Sequence, residues 1–556
     1  MERRDFLKSL TAGAAIASLK PALSAASDPS ATPDASANPK ATPNGNPKAT
    51  PNGNPKATPD ANPKANLTAG SKASPKPHVL FLMADQFRWD CMGCAGNRVI
   101  RTPNLDAIAR EGVVFQNAYS STPTCTPARA GLLTGQAPWH HAMLGYGAVA
   151  EHYPVEMPRC LRDAGYYTFG VGKMHWFPQK TLHGFHVTLV DESGRVESPG
   201  FISDYRRWFR DEAPGQDPDA TGIGWNDYQA GVYALDEKLH PTVWTAQTAV
   251  EQIRRCDPAV PLFLKVSFAR PHSPYDPPAR FMDLYKAEDM PLAVVGDWAA
   301  KYAPHADPPP SDAWHGDLGE AQALKSRRGY YGSVSFIDEQ IGKILQTLKD
   351  RGMYDNTLIL FTSDHGDMLG DHNLWRKSYA YESSAHVPML LRWPRNMGME
   401  GKRGTALPQP VELRDLLPTF LDAAGAPIPK SVDGASLLQL VRGNTAKWRP
   451  WIDLEHAVCY SKENHWNALT DGRFKYIYFA LDGSEQLFDL RKDRGETRDL
   501  SNAPACSAIL KEWRERLTRH LAERGPDYVR DGKLVKGRRN MLYGPLFPVD
   551  EATSVR

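Results

Sequence analysis

Between residues 77 and 440, short unbroken apolar runs alternate with longer stretches in which apolar residues recur every three or four positions. The first run, Pro77-His78-Val79-Leu80-Phe81-Leu82-Met83-Ala84-Asp85-Gln86, is almost continuously apolar and ends in a carboxylate. A strand wet on one face would alternate; a continuous run marks one covered on both faces, as at the centre of a parallel sheet. The same reading predicts strands at 112–118, 166–171, 262–268, 357–361 and 387–391, and helices at 102–110, 242–255, 322–350 and 413–424. Strands alternating with long helices predict an α/β fold, a large mostly parallel or mixed β-sheet sandwiched by helices. After residue 440 the pattern changes to short strands at 466–470, 474–479 and 486–489 and an amphipathic helix at 505–522. Residues 76–440 are therefore predicted to form the main domain and 441–556 a smaller C-terminal α+β subdomain.

The first 75 residues follow neither pattern. Residues 27–75 are rich in Pro, Asn, Ala, Thr and Lys, with the octamer Ala-Thr-Pro-Asn-Gly-Asn-Pro-Lys at 41–48 and again at 49–56, and a near copy at 57–64. Such a stretch has no core to bury, and its prolines forbid helix or ladder, so it is predicted to be a disordered linker. Residues 1–26 pair Arg3 and Arg4 ahead of an alanine-rich segment, Leu10 to Leu19, and small residues up to Ala26. This resembles a twin-arginine signal peptide, which implies the twin-arginine export machinery as a partner and a periplasmic or secreted destination. No apolar run approaches the roughly 20 residues of a membrane helix, so no stable membrane insertion is expected.

Composition adds exclusions. The 41% hydrophobic content suits a globular core, and 66 basic against 64 acidic residues, a formal charge of +2, argue against a nucleic-acid partner. Seven cysteines, at 91, 94, 125, 160, 256, 459 and 506, leave disulfide pairing open. Cys91-Met92-Gly93-Cys94 has redox or metal spacing but no second pair, and is read as structural or as one end of a disulfide.

The chemistry converges on Ser121-Thr122-Pro123-Thr124-Cys125-Thr126-Pro127-Ala128-Arg129, which continues to Leu132-Leu133-Thr134-Gly135. Pro127 is suited to the first helical position, which would set Cys125 at a helix N-terminus, where backbone N–H groups favour anions. Arg129, four residues on, would lie on the same helix face and brace whatever group position 125 carries. Ligands of open α/β sheets bind beyond the carboxyl ends of strands. Asp85 and Gln86 end one predicted strand, and Asp364 and His365 follow another. Two carboxylates, an amide oxygen and an imidazole make a mostly oxygen donor set for a divalent cation. Lys173 and His175 alternate along a segment read as extended, and so are expected to point the same way. His272 follows the strand at 262–268, and Lys377 ends Asp371-His372-Asn373-Leu374-Trp375-Arg376-Lys377.

Cys-x-Pro-x-Arg followed by Leu-Leu-Thr-Gly resembles the signature of the type I sulfatases, formylglycine-dependent arylsulfatase-like enzymes of the alkaline phosphatase superfamily. The resemblance spans roughly residues 77 to 440 and implies an alkaline-phosphatase-like fold and hydrolysis of sulfate monoesters. It further implies that a formylglycine-generating maturation enzyme oxidises Cys125 to formylglycine (3-oxoalanine), whose hydrated aldehyde is the nucleophile. On this pattern Asp85, Gln86, Asp364, His365 and the modified Cys125 hold the metal, most often calcium. Gln86 and His365 depart from the Asp and Asn of many members, which opens the site to manganese or zinc. Lys173 and Lys377 would bind sulfate oxygens, His272 would protonate the departing oxygen, His175 would accept the nucleophile's proton, and Arg129 completes the catalytic set.

Two alternatives stay open: a phosphonate or phosphate ester hydrolase of the same superfamily, which the Gln86 and His365 pair favours, and a non-catalytic exported protein binding metal or sulfoglycan. The substrate is expected to be a carbohydrate sulfate or another organic sulfate. Candidate rim residues are Trp139, His140, His141, Tyr146, Trp176, His183, His186 and the segment 201–225. Lys173-Met174-His175 with Leu182-His183-Gly184-Phe185 also resembles choline sulfatases, so a small alkyl sulfate remains possible.

Overall fold

The computed structural model describes residues 76–192 and 200–548. The predicted signal peptide and linker lie outside the described residues. Strand β1 (His78–Asp85) is buried along its whole length. Its alternate side chains enter two different cores. Leu80, Leu82 and Ala84 pack with helices α1 (Pro103–Arg110), α3 (Pro241–Arg255) and α4 (Glu320–Asp350). Val79, Phe81 and Met83 pack with α2 (Cys125–Thr134) and α5 (Leu416–Ala424). A strand covered on both faces needs the unbroken apolar run that the sequence supplies.

The other strands are β2 (Val113–Tyr119), β3 (Tyr167–Gly172), β4 (Val187–Val190), β5 (Leu262–Pro271), β6 (Thr357–Thr362), β7 (Met389–Arg392) and β8 (Thr405–Glu412). They form one eight-stranded sheet in the order β4-β3-β5-β1-β6-β7-β2-β8. β7 pairs antiparallel with both its neighbours, β6 and β2, and every other pairing in this sheet is parallel. The predicted strands and long helices are all present, with ends shifted by up to two residues, apart from the end of β5 and the start of α5. The strands at the two edges, β4 and β8, escaped the sequence reading. β8 carries Pro408 and Pro410, which an edge strand tolerates but which disguise its pattern.

A second sheet, in the order β12-β11-β10-β9, is built from β9 (Ile452–His456), β10 (Trp466–Thr470), β11 (Phe474–Phe479) and β12 (Glu485–Asp489), all antiparallel. Leu469, Tyr476 and Leu487 meet Leu510, Trp513 and Leu517 of α6 (Ser507–Leu521). Ile452, Trp466, Ile477 and Phe488 pack instead against Tyr119, Leu374 and Tyr381 of the main domain. β9 was missed because its Ile-Asp-Leu-Glu-His pattern reads as polar, yet all five residues are buried.

All seven cysteines are free thiols. This corrects the reading of Cys91 and Cys94 as a disulfide end. Both sit around a short 3-10 turn, Gly93–Ala95, and burial raises both thiols, that of Cys94 to about 12. Thiols so raised are poor candidates for redox exchange.

One buried charge stands out in the core below α2. Lys265 on β5 places its Nζ 5.7 Å from the ring centre of Phe81 and 5.6 Å from that of Trp176. Burial, aided by Arg129, pulls its ammonium down to about 7 from the ordinary 10.5. The unfolded chain therefore binds the proton more readily than the folded one between these values. Lys265→Met is expected to stabilise the fold, fully below about pH 7, with the gain vanishing as pH rises through about 10.5. Denaturation midpoints of parent and variant at the two ends of this range check it; equal gains at both ends would contradict it.

Candidate active site

The carboxyl ends of β1, β3, β5 and β6 bring the predicted residues together. Cys125 opens α2 as its first residue, with Thr124 as N-cap and Pro127 two positions further in. The proline thus does not take the first helical position as expected; the cysteine does. Its Sγ lies 3.1 Å from His365 Nε2 and 4.0 Å from Asp85 Oδ1. One ligand-type atom from each of Asp85, Cys125, Asp364 and His365 falls within 4.8 Å of the others, and all four residues are buried. His365 Nδ1 is bonded to Gly366 O at 2.9 Å, so Nε2 is the ring nitrogen that faces the cluster. Such a set, dry and rich in anionic oxygen, suits a divalent cation.

Arg129 binds differently from expectation. It braces the carboxylates around position 125: Nε donates to Asp364 Oδ2 at 3.0 Å and Nη2 to Asp85 Oδ2 at 2.9 Å, while Nη1 reaches Lys173 O at 2.6 Å. Its own side chain is 1% exposed. Lys173 Nζ sits 2.8 Å from Asp85 Oδ2. Burial raises Asp85, but Lys173, His272, Arg129 and His365 together hold it well below the usual carboxylate range. Burial and Asp85 push the Cys125 thiol up; Lys377, Lys173 and His365 outweigh them and bring it below its ordinary value.

Gln86 adopts a left-handed backbone, φ 66°, uncommon for a residue with a Cβ. Its amide N donates to Asp364 Oδ1 at 3.1 Å, its carbonyl accepts from Tyr330 at 2.6 Å, and its side chain is held by Asp367 and by Lys377 Nζ at 2.7 Å. Lys377 Nζ also lies 2.7 Å from His272 Nε2. His272 Nδ1 is bonded to Ser273 O at 2.9 Å, so Nε2 is the acceptor for the ammonium. Burial, Lys377 and Lys173 draw the His272 imidazole well below its usual range. Its ordinary form is thus the neutral ring, with the Lys377 ammonium beside it.

The Lys173–His175 segment is not extended. Gly172 has φ 93°, and a Cβ there would fall 2.0 Å from Ser267 O; His175 has φ 61°. Lys173 reaches Asp85, whereas His175 meets Tyr146, with its Nε2 3.5 Å from the phenol oxygen. Glu192 Oε1 accepts from the backbone N–H groups of Met174 and His175.

Most of the candidate rim is structural. Trp176 and His183 are buried against each other, His183 on Glu156 at 2.8 Å; His140 binds Asp433, His141 is buried, and His186 bonds Thr168. Trp139 packs on Tyr528 and Arg524. Tyr146 and Trp225 do reach the site. Residues without a sequence signal also do so: Asn226, whose Oδ1 is 3.5 Å from Lys377 Nζ, and His456 of β9, whose Nε2 is 2.6 Å from Thr124 Oγ1 across 332 residues. Asp367, which was not singled out from the sequence, lies two residues after His365 and accepts from the Gln86 side chain and from Tyr275.

A mixed sheet of this order, with its carboxylates gathered at the strand ends and a separate antiparallel sheet behind, is the architecture of the alkaline phosphatase superfamily. The superposition on the phosphonate monoester hydrolase of Agrobacterium radiobacter agrees, with a TM-score of 0.69 at 26% identity over 81% of this chain and 96% of that one. The sulfatase family model matches residues 77–426, and the model for the C-terminal part of N-sulphoglucosamine sulphohydrolase matches residues 370–523. An arylsulfatase of Clostridium perfringens is 38% identical over 83% of this chain and 98% of its own length. A choline-sulfatase of Rhizobium meliloti is 32% identical over 80% of this chain and 87% of its own. The chain belongs to the sulfatase family and is a sulfuric ester hydrolase.

Removing Arg129 would leave two buried carboxylates facing each other. Arg129→Met is expected to cost about 3 kcal/mol or more in stability, the scale for breaking a buried ion pair. Arg129→Lys should recover part of the stability and little of the activity, because an ammonium cannot span two carboxylates and a carbonyl as the fork does. Urea denaturation and turnover of 4-nitrophenyl sulfate check both; wild-type turnover in Arg129→Lys would contradict the positioning role.

Proposed function

We propose that this enzyme hydrolyses sulfate monoesters of organic alcohols, carbohydrates foremost, with Cys125 converted to formylglycine. The observation that carries the reading is the convergence of a cation-type donor cluster and two ammonium groups on the first residue of α2. Asp85, Gln86, Asp364, His365 and position 125 would hold a divalent cation, calcium before manganese or zinc. When bound, the cation supplies positive charge for sulfate oxygens and makes a hydroxyl at position 125 more acidic. The formylglycine hydrate supplies the attacking oxygen and, through its second hydroxyl, the means to expel sulfate.

The chain's own residues do the rest. Lys173 and Lys377 neutralise sulfate oxygens in a site dry enough for such contacts to count heavily. As negative charge builds on the departing alcohol oxygen, the Lys377 ammonium gives a proton to His272 Nε2, 2.7 Å from it, and the imidazole passes it to that oxygen, leaving Lys377 as the neutral amine. His175, set by Glu192 and Tyr146, takes the proton from the hydroxyl at position 125. Arg129 keeps Asp85 and Asp364 apart and oriented.

The maturation enzyme and export through the twin-arginine route to the periplasm or beyond complete the reading. Among the described residues no helix is long and apolar enough to cross a membrane. A second reading, phosphonate or phosphate ester hydrolysis, is favoured by the Gln86 and His365 pair and by the likeness to phosphonate monoester hydrolases.

Cys125→Ala is expected to fold normally and to lose turnover by at least about a thousandfold. His272→Ala should slow alkyl and sugar sulfates, whose alkoxides leave poorly, about a hundredfold or more, and 4-nitrophenyl sulfate far less. Equal losses on both would show that His272 binds without donating. Faster turnover of a phosphonate monoester than of any sulfate would replace the sulfatase reading with the second one.

A further inference from the structure

The hydroxyl at position 125 that expels sulfate has to give up a proton, and in the reading above His175 accepts it. Glu192 fixes the backbone of His175 by accepting from its N–H at 2.8 Å. The ring is met by Tyr146, whose phenol oxygen lies 3.5 Å from Nε2, with the two ring planes at 72°. Tyr146 stands between Gly145 and Gly147. Glycine on both sides leaves such a backbone free to turn unless something outside it decides its path.

That path is set from the far end of the chain. After α6 and a small hairpin, Val529–Arg530 with Lys533–Leu534, residues 537–547 run back onto the main domain as a strap. Gly537 N–H donates to Ala480 O at 2.7 Å, and Asn540 Oδ1 accepts from Val458 N–H at 2.8 Å, so residues just past β11 and β9 anchor its start. Leu542 O then accepts from Leu144 N–H and Gly544 N–H donates to Ala142 O, both at 2.8 Å, with Tyr543 paired antiparallel to Met143 between them. Ala457 N–H donates to Leu144 O at 2.6 Å, so both backbone polar groups of Leu144 are held. The Tyr543 hydroxyl reaches one turn of chain further. It accepts from Ala148 N–H at 2.7 Å and donates to Ala148 O at 3.3 Å, 395 residues away, and a Cβ at Gly147 would fall 2.3 Å from it. Phe547 backs the Tyr543 ring, their centres 4.3 Å apart. Gly147 N–H in turn donates to Thr126 Oγ1 at 3.2 Å, one residue after position 125. One hydroxyl thus secures a loop whose next residues touch the proton acceptor and the neighbour of the nucleophile position. Residues beyond 523 lie outside both family matches, so the family signature does not carry this contact.

We propose that the C-terminal strap, through Tyr543, positions His175: it fixes the loop 144–148 so that Tyr146 orients the imidazole that takes the proton. Tyr543 acts through Tyr146 and not on the reacting atoms. The role rests on the sulfate-ester reading above.

The step that His175 serves follows departure of the alcohol, so impairing it leaves a kinetic signature that a general loss of structure does not. In full-length Tyr543→Phe, which keeps the ring and loses the hydroxyl, kcat for 4-nitrophenyl sulfate should fall about fivefold or more. KM should fall alongside it, leaving kcat/KM within about twofold of the parent, and 4-nitrophenolate release should begin with a stoichiometric burst. The melting temperature should stay within about 2 °C of the parent's. Tyr146→Phe should give the same pattern, and the double variant should be no slower than Tyr146→Phe alone, because both substitutions break one line of contact. An unchanged kcat in Tyr543→Phe, a fall in kcat/KM as large as that in kcat, or a double variant slowed by the product of the two single losses would overturn the positioning role while leaving sulfate-ester hydrolysis intact. An unmutated enzyme that does not turn over 4-nitrophenyl sulfate would overturn the reading beneath it, and the positioning role with it.

Discussion

Everything in this site depends on burying two carboxylates and two cations together. Asp85 and Asp364 close β1 and β6, neighbours in the sheet, and would repel each other if nothing stood between them. Arg129 stands there, its fork spanning both carboxylates and the Lys173 carbonyl, with Lys173 adding its ammonium to Asp85. Each of these charges is 1% exposed or less, so any one of them left unpaired would be costly. The arrangement therefore has to be assembled as a unit, and the sheet order that places β3, β5, β1 and β6 side by side is what makes the assembly geometrically available.

Around that unit the fold supplies restraint from distant parts of the chain. Gln86 is held in a left-handed conformation by Asp364, Tyr330, Asp367 and Lys377, and Thr124, just ahead of the nucleophile position, is bonded to Ser378 and to His456 of the C-terminal sheet. The smaller sheet is accordingly more than an appendage. One face packs on α6, the other on the main domain, and the end of β9 touches the residue that caps α2. Two imidazoles flank the centre, each beside an aromatic ring, Tyr146 at His175 and Trp225 at His272.

Much of this was legible in the sequence, for physical reasons. Central strands are apolar on successive residues and reveal themselves, and the functional groups follow those strands directly, as Asp85, His272 and Asp364 do. The edge strands β4 and β8 and the acidic strand β9 did not reveal themselves, because edge position permits proline and pairing with Arg414 and Arg524 permits buried Asp453 and Glu455. Directions of side chains were the least readable feature. The backbone between β3 and His175 was not readable as it is, with positive φ at Gly172 and at His175 where an extended segment was expected. Helical spacing said that Arg129 braces position 125, but the stronger demand came from two carboxylates, which share no local signal with it. Aromatics likewise gave no means of telling Trp176, which is core, from Trp225, which faces the chemistry.

The central proposal is that position 125 is an aldehyde hydrate in the working enzyme, set among the donor cluster and the ammonium groups of Lys173 and Lys377. Mass spectrometry of the tryptic peptide spanning Cys125, from protein produced in a host with the maturation enzyme, tests it directly. The account predicts the mass of formylglycine at position 125 in the active fraction. A fully active preparation in which that peptide carries an unmodified cysteine would contradict it.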